Sequence, residues 1–193
     1  TPNPLNGEAL KVSEKLPYGW SVVTRDLFAD FGAFQLDGLA LTPADGEAAL
    51  FDHIYLARSE ADFKDCPTAL PAEPPLAVFE AQPEFVANLN QGMGTATLVM
   101  DDKLSGAAAV KVTPDQRFNP SLPGLGVKIR KTPQPGEYRY IQYAWKKRGG
   151  ERVCLQLNHD GMWGPNRTPA KFRYDTGPAA GETFDGALRV ADK

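Results

Sequence analysis

The ten residues Ala48-Ala49-Leu50-Phe51-Asp52-His53-Ile54-Tyr55-Leu56-Ala57 decide the fold. On a strand they place Phe51, His53 and Tyr55 on one face and Leu50, Asp52, Ile54 and Leu56 on the other. The second set predicts an apolar core face carrying one acid. Upstream, Phe34 to Leu41 alternates apolar with polar or small residues, and Ser21 to Thr24 is the first strand-like run. Downstream come Thr95 to Met100, Ala107 to Thr113, Leu125 to Arg130, Tyr138 to Lys146, Arg152 to Asn158, Lys171 to Tyr174 and Ala187 to Val190. Pro123-Gly124, Pro135-Gly136, Gly149-Gly150 and Asp160-Gly161 punctuate them as turns, because glycine supplies positive φ and proline presets φ. Short strands at this spacing predict an all-β fold, a jelly-roll-like β-sandwich.

Composition agrees. The chain of 193 residues holds 18 glycines and 17 prolines, an excess spread along its length that excludes a helical bundle. A hydrophobic content of 42 % is enough for a core. A net charge of −3 argues against nucleic acid as a partner. No apolar run is long enough for membrane insertion. Thr1-Pro2-Asn3-Pro4 is no signal peptide and lacks a starting methionine, so a processed or excised chain is expected. Cys66 and Cys154 could pair in an oxidising compartment or stay as two thiols. Two short helical turns are expected, at Ser59 to Asp62 and at Arg25 to Gly32. Residues 66–83 hold five prolines and read as an extended linker.

The two ends echo each other. Glu8-Ala9-Leu10-Lys11-Val12-Ser13-Glu14-Lys15 matches Gly186-Ala187-Leu188-Arg189-Val190-Ala191-Asp192-Lys193, at an offset of 178 residues from Ala9 to Ala187. This predicts a tandem array cut to one period and a short overlap. Residues 1–65 are then the C-terminal part of one repeat and 84–193 the N-terminal part of the next. The two parts form a single sandwich, circularly permuted or swapped between repeats.

Three segments carry a family resemblance: Trp20 to Phe34, Leu39 to Pro43, and Phe51 to Arg58. With Gly136 to Lys147 and Leu155 to Trp163 they resemble a module repeated in large secreted proteins of planctomycete-type bacteria. There the latter two blocks come first, which fits the permuted order. The resemblance spans well over half of the chain. It implies an extracellular or cell-surface location and carries no activity. A broader likeness, on Asp52-His53-Ile54-Tyr55-Leu56, is to galactose-binding-like jelly rolls and carbohydrate-binding modules, whose closing strand often lends an acid to a structural calcium.

For catalysis, His53 and His159 are the histidine bases available, and neither accompanies a serine or cysteine motif. No enzyme activity is expected. Sugar binding needs flat aromatic faces with polar neighbours. Trp163 lies in a glycine-flanked loop, with Asn158, His159, Asp160 and Asn166 as donors and acceptors and Tyr138 and Tyr140 nearby. These seven are the candidate ligand-binding residues. Tyr138 and Tyr140 share one strand face, while Trp20 and Trp145 read as core. For calcium, Asp52, Asp101 and Asp102 are the candidate ligands, with Glu84 a further hard oxygen. Arg25 and Asp26 read as clamps on the Phe28/Phe31 segment. Lys146-Lys147-Arg148 reads as a solvated basic tip. The expected role is a non-catalytic extracellular module that binds a glycan within a larger protein. The alternative is a structural or protein–protein module partnered by neighbouring repeats.

Overall fold

The computed structural model describes residues 9–65, 75–80, 82–113, 116–163 and 172–177. Two sheets face each other as a sandwich. The strands are β1 (Leu10–Ser13), β2 (Ser21–Asp26), β3 (Phe34–Thr42), β4 (Ala48–Ala57), β5 (Leu76–Phe79), β6 (Ala96–Val99), β7 (Ala109–Val112), β8 (Arg117–Asn119), β9 (Val127–Ile129), β10 (Glu137–Tyr138), β11 (Tyr140–Arg148), β12 (Val153–His159) and β13 (Arg173–Thr176). The first sheet runs β1-β13-β12-β3-β9-β10, with β8 also on β3. The second runs β2-β11-β4-β7-β6, with β5 also on β4. The all-β sandwich expected from the alternation is what the chain forms.

The core lies between the sheets. Phe51, Ile54, Leu56, Ile141, Tyr143 and Trp145 come from the second sheet, and Leu36, Leu39, Leu41, Leu155, Leu157 and Tyr174 from the first. Two of the crossings between the sheets are the turns from β3 to β4 and from β11 to β12. These two turns pack on each other. A Cβ on Gly46 would sit 2.4 Å from the Gly149 carbonyl, and one on Gly150 would sit 2.4 Å from Asp45 Oδ1. The Asp45 carboxylate accepts the Glu151 and Arg152 N–H groups, so glycine is required where these turns meet.

The decisive strand departs from simple alternation. Gln142 pairs with Tyr55 and Ala144 with Asp52, so two residues of β4 face one of β11. His53 takes the extra place, at φ 54°. The bulge resets the phase: Ala49 and Phe51 point to the core before it, Ile54 and Leu56 after it. Asp52 therefore does not share a core face with Ile54 and Leu56, and His53 and Tyr55 turn to the outer face.

Helices are short. α1 (Leu27–Phe31) falls within the expected Arg25 to Gly32. It is capped by Asp26, which accepts the Ala29 N–H, and it ends at Gly32, φ 78°. A 3-10 turn, Glu60–Asp65, continues the expected Ser59 cap. α2 (Pro83–Asn88) was not expected. The reading of 66–83 as linker is corrected in its second half. Leu76–Phe79 is β5, paired with β4, and Phe79 is fully buried. Proline density hid four residues whose apolar side chains pack on the bulged end of β4. Cys66, most of the linker, and the second echo at 187–190 lie outside the described residues. The first echo contains β1, which lies at the edge of the first sheet among the described residues.

Candidate binding face on the second sheet

The outer face of the second sheet is built by three neighbouring strands. The register Gln142 to Thr24 and Tyr55, and Ala144 to Val22 and Asp52, lines up their outward side chains. Along β2 these are Val22 and Thr24. Along β11 they are Tyr140, Gln142, Ala144 and Lys146, and along β4 His53, Tyr55 and Ala57. Trp20 flanks Lys146, whose ammonium lies 6.0 Å from the indole centroid. Trp20, Thr24, Tyr140, Gln142 and Lys146 are half-buried and Val22 is 49 % exposed, while Ala144, His53, Tyr55 and Ala57 are buried. From Tyr140 to Lys146 the strip runs about 20 Å at strand rise.

A row of hydrogen bonds crosses this strip. Gln142 Nε2 donates to Thr24 Oγ1 at 2.8 Å, which turns its Oε1 to His53 Nε2, also at 2.8 Å. An amide oxygen only accepts, so His53 Nε2 is the donor in that bond. Nδ1 faces Ser105 Oγ at 3.3 Å, and Ser105 Oγ donates to Glu80 Oε1 at 2.9 Å. The positive φ of His53 is what brings its ring into the row. Gly106 closes it, since a Cβ there would sit 2.2 Å from Glu80 Oε1. Tyr55 stacks obliquely on His53 at 4.7 Å, and Tyr140 packs on the cluster of Tyr55, Ala57 and Phe63.

Two of the acids named for calcium, Asp52 and Asp102, lie close by, engaged by nitrogen donors. Asp52 accepts from the backbone N–H of His53 on one oxygen and from those of Leu104 and Ser105 on the other, at 2.7 to 3.1 Å. Burial pushes its pKa up and these bonds oppose the shift. Asp102 takes Lys146, Arg148 and the Trp20 Nε1–H. The two cations hold its pKa below the usual carboxylate range, against desolvation. Asp101 and Glu84 are exposed. Among the described residues no group of three or more His, Cys, Asp or Glu side chains could hold a metal ion. Asp52 pins the 104–105 backbone onto the bulge.

Of the seven residues named for sugar binding, the six that the structure describes are not brought onto one surface. Tyr138 lies on β10 of the first sheet and Tyr140 on β11 of the second, so the shared strand face is corrected: the chain changes sheet at Arg139. Asn158 is fully buried, and its amide has no hydrogen-bond partner among the described residues. His159 is buried and stacks on Phe172 at 3.7 Å. Asp160, at φ 47°, is exposed and accepts the Gln35 N–H. Trp163 is half-buried, edge-on to Phe118 at 5.3 Å, with its carbonyl held by Gln156. Asn166 lies outside the described residues.

Other expectations shift too. Trp145 is core, whereas Trp20 stands at the rim of the strip. Lys146-Lys147-Arg148 is no solvated tip: Lys146 and Arg148 grip Asp102, and Lys147 is 1 % exposed with its ammonium on the Asp45 carbonyl. Arg25 pairs with Asp30, which also accepts the Tyr174 hydroxyl, and Asp26 pairs with Arg139. Cys154 is a buried free thiol, pushed up to about 12 by desolvation and so kept in the unreactive form. A groove of about 250 Å³ between β5, α2 and residues 122–125 is lined mainly by Leu76, Val78, Phe85, Leu122 and Leu125, an apolar lining unlike that of the strip.

Sequence reasoning missed Gln142, Thr24, Ser105 and Glu80. The signal was present in Tyr140-Ile141-Gln142-Tyr143, where polar and apolar residues alternate on an otherwise apolar strand. Comparison with protein-family models, with curated proteins and with solved structures found no match.

Proposed function

We propose that the protein is a non-catalytic, extracellular carbohydrate-binding module whose ligand lies across the outer face of β2, β11 and β4. One observation carries this reading: a row of partly exposed side chains with Trp20 at one end and Tyr140 at the other, and between them the Thr24–Gln142 hydrogen bond, held from below by the buried His53. Aromatic faces offer stacking surface to C–H-rich sugar rings, and side chains already fixed by their neighbours bind hydroxyls with little further ordering. A length of about 20 Å suits an oligosaccharide better than a single sugar. The Trp163 edge of the first sheet is the competing location.

Affinity electrophoresis of the full chain through gels of neutral and acidic polysaccharides tests both. At least one polysaccharide retards the wild type. Trp20→Ala and Tyr140→Ala each weaken retardation about tenfold, which corresponds to about 1.4 kcal/mol, and Trp163→Ala leaves it unchanged. Retardation lost only in Trp163→Ala moves the site to the first sheet. No retardation by any polysaccharide overturns the reading.

A further inference from the structure

We propose that His53 is held in the folded protein as an imidazolium, with a proton on each ring nitrogen. Its charge acts as a pH-sensitive latch that fastens Glu80 and residues 104–106 to the bulge of β4. Two counts carry this, one of hydrogens and one of charges.

The hydrogens come first. His53 Nε2 donates to Gln142 Oε1 at 2.8 Å, because Gln142 Nε2 is committed to Thr24 Oγ1. His53 Nδ1 lies 3.3 Å from Ser105 Oγ. A serine hydroxyl has one hydrogen to donate. That of Ser105 goes to Glu80 Oε1 at 2.9 Å, since a carboxylate oxygen only accepts. Ser105 Oγ therefore turns a lone pair to Nδ1, and a bond forms there only when Nδ1 also carries a proton.

The charges agree. Asp52, beside His53 on β4, is fully buried. Glu80, which follows β5, sets its Oε2 3.9 Å from Nδ1, and that oxygen is buried with no hydrogen-bond partner among the described residues. The other groups facing the ring, Tyr55, Ser105 and Gln142, are uncharged. The lysines of the flanking elements are engaged elsewhere, Lys103 by the Ala107 carbonyl and Lys146 by Asp102. A neutral ring would leave Glu80 Oε2 desolvated without a counter-charge, and an imidazolium supplies one.

The latch reaches the aromatic rim. The 104–105 backbone is held on Asp52, and Asp102, a few residues earlier, receives the Trp20 Nε1–H. When Nδ1 loses its proton, the one Ser105 hydrogen has to serve either the ring or Glu80, and one of these contacts is lost. The folded state binds this proton more tightly than the unfolded chain does. The stabilisation is therefore complete in acid and is lost as pH rises and the proton leaves. This inference does not rest on the carbohydrate reading.

The test begins with nitrogen NMR of the uniformly 15N-labelled wild-type chain at pH 7.5, with the His53 ring assigned by its through-space contacts to Tyr55 and Gln142. An ordinary histidine is about nine-tenths neutral at that pH. Both His53 nitrogens resonate as protonated, and a ring with one lone-pair nitrogen overturns the proposal. Thermal melts at pH 6 and pH 9 then compare wild type with Glu80→Gln, which keeps the shape and removes the charge. Wild type loses about 2–4 °C more than the variant over this interval. Equal losses in the two proteins overturn the latch. Should Glu80→Gln fail to fold, the NMR result, which needs no variant, decides.

Discussion

At the residue scale, His53 and Asp52 do the most. Alternation treats a strand as a uniform lattice, so it put Asp52 on the core face and His53 opposite. One residue at positive φ breaks that lattice, and the cost of placing a non-glycine there is met by its surroundings. His53 gains two side-chain partners, and Asp52 gathers three backbone N–H groups onto one carboxylate. Asparagine at position 52 keeps the shape but offers N–H where acceptors are needed. Asp52→Asn therefore costs about 2–4 kcal/mol, read as a lower urea midpoint with unchanged slope. A change below about 0.5 kcal/mol would show that the carboxylate does not hold the bulge. Gln142 was legible as an outward polar residue, but its partnership with Thr24 and His53 was not, because they lie 118 and 89 residues away in the chain and meet it only through strand pairing.

At the scale of elements, long alternating runs were legible and short ones were not. Residues 48–57 and 34–41 carry enough periods to be read as β4 and β3. β5, β8 and β10 are two to four residues long, too short for periodicity to separate from loop. They exist because long strands present an open ladder to them. β8 shows how tightly. It pairs with β3 through Leu39 to Asn119, and the Asn119 carbonyl lies 2.0 Å from where a Cβ on Gly38 would be. The obstacle is backbone, so Gly38→Ala has to push β8 away. It costs about 1–3 kcal/mol by the usual scale of overpacking, and amide exchange of residues 117–119 quickens more than that of β4. Uniform exchange across both would mean the change is global rather than local to the β3–β8 pair.

At the scale of the whole molecule, ion pairs tie elements that the core alone does not. Asp102 joins the 101–105 segment to β11 and Trp20, and Asp26 joins α1 to Arg139 between the sheets. Both acids have folded-state pKa values held below the ordinary range, Asp102 by Lys146 and Arg148 and Asp26 by Arg139 and the α1 backbone, in each case against desolvation. The folded state thus binds their protons less tightly than the unfolded chain does. Their stabilisation is complete above the ordinary carboxylate range and disappears as pH falls through the lowered values. Thermal melts between pH 7 and pH 3 should show Asp102→Asn melting below wild type by about 2–4 °C at pH 7, as for a pair worth about 1 kcal/mol. The two curves should converge at the acid end, and a constant gap would assign the loss to packing. The sequence by itself determined that the chain is an all-β sandwich, because period-two alternation and turn residues are local properties. It also determined the end-to-end echo. Only the tertiary structure decided which polar residues share a surface. A single bulge changes the face of every residue beyond it, and the distances that build the strip are set by strand pairing across more than a hundred residues.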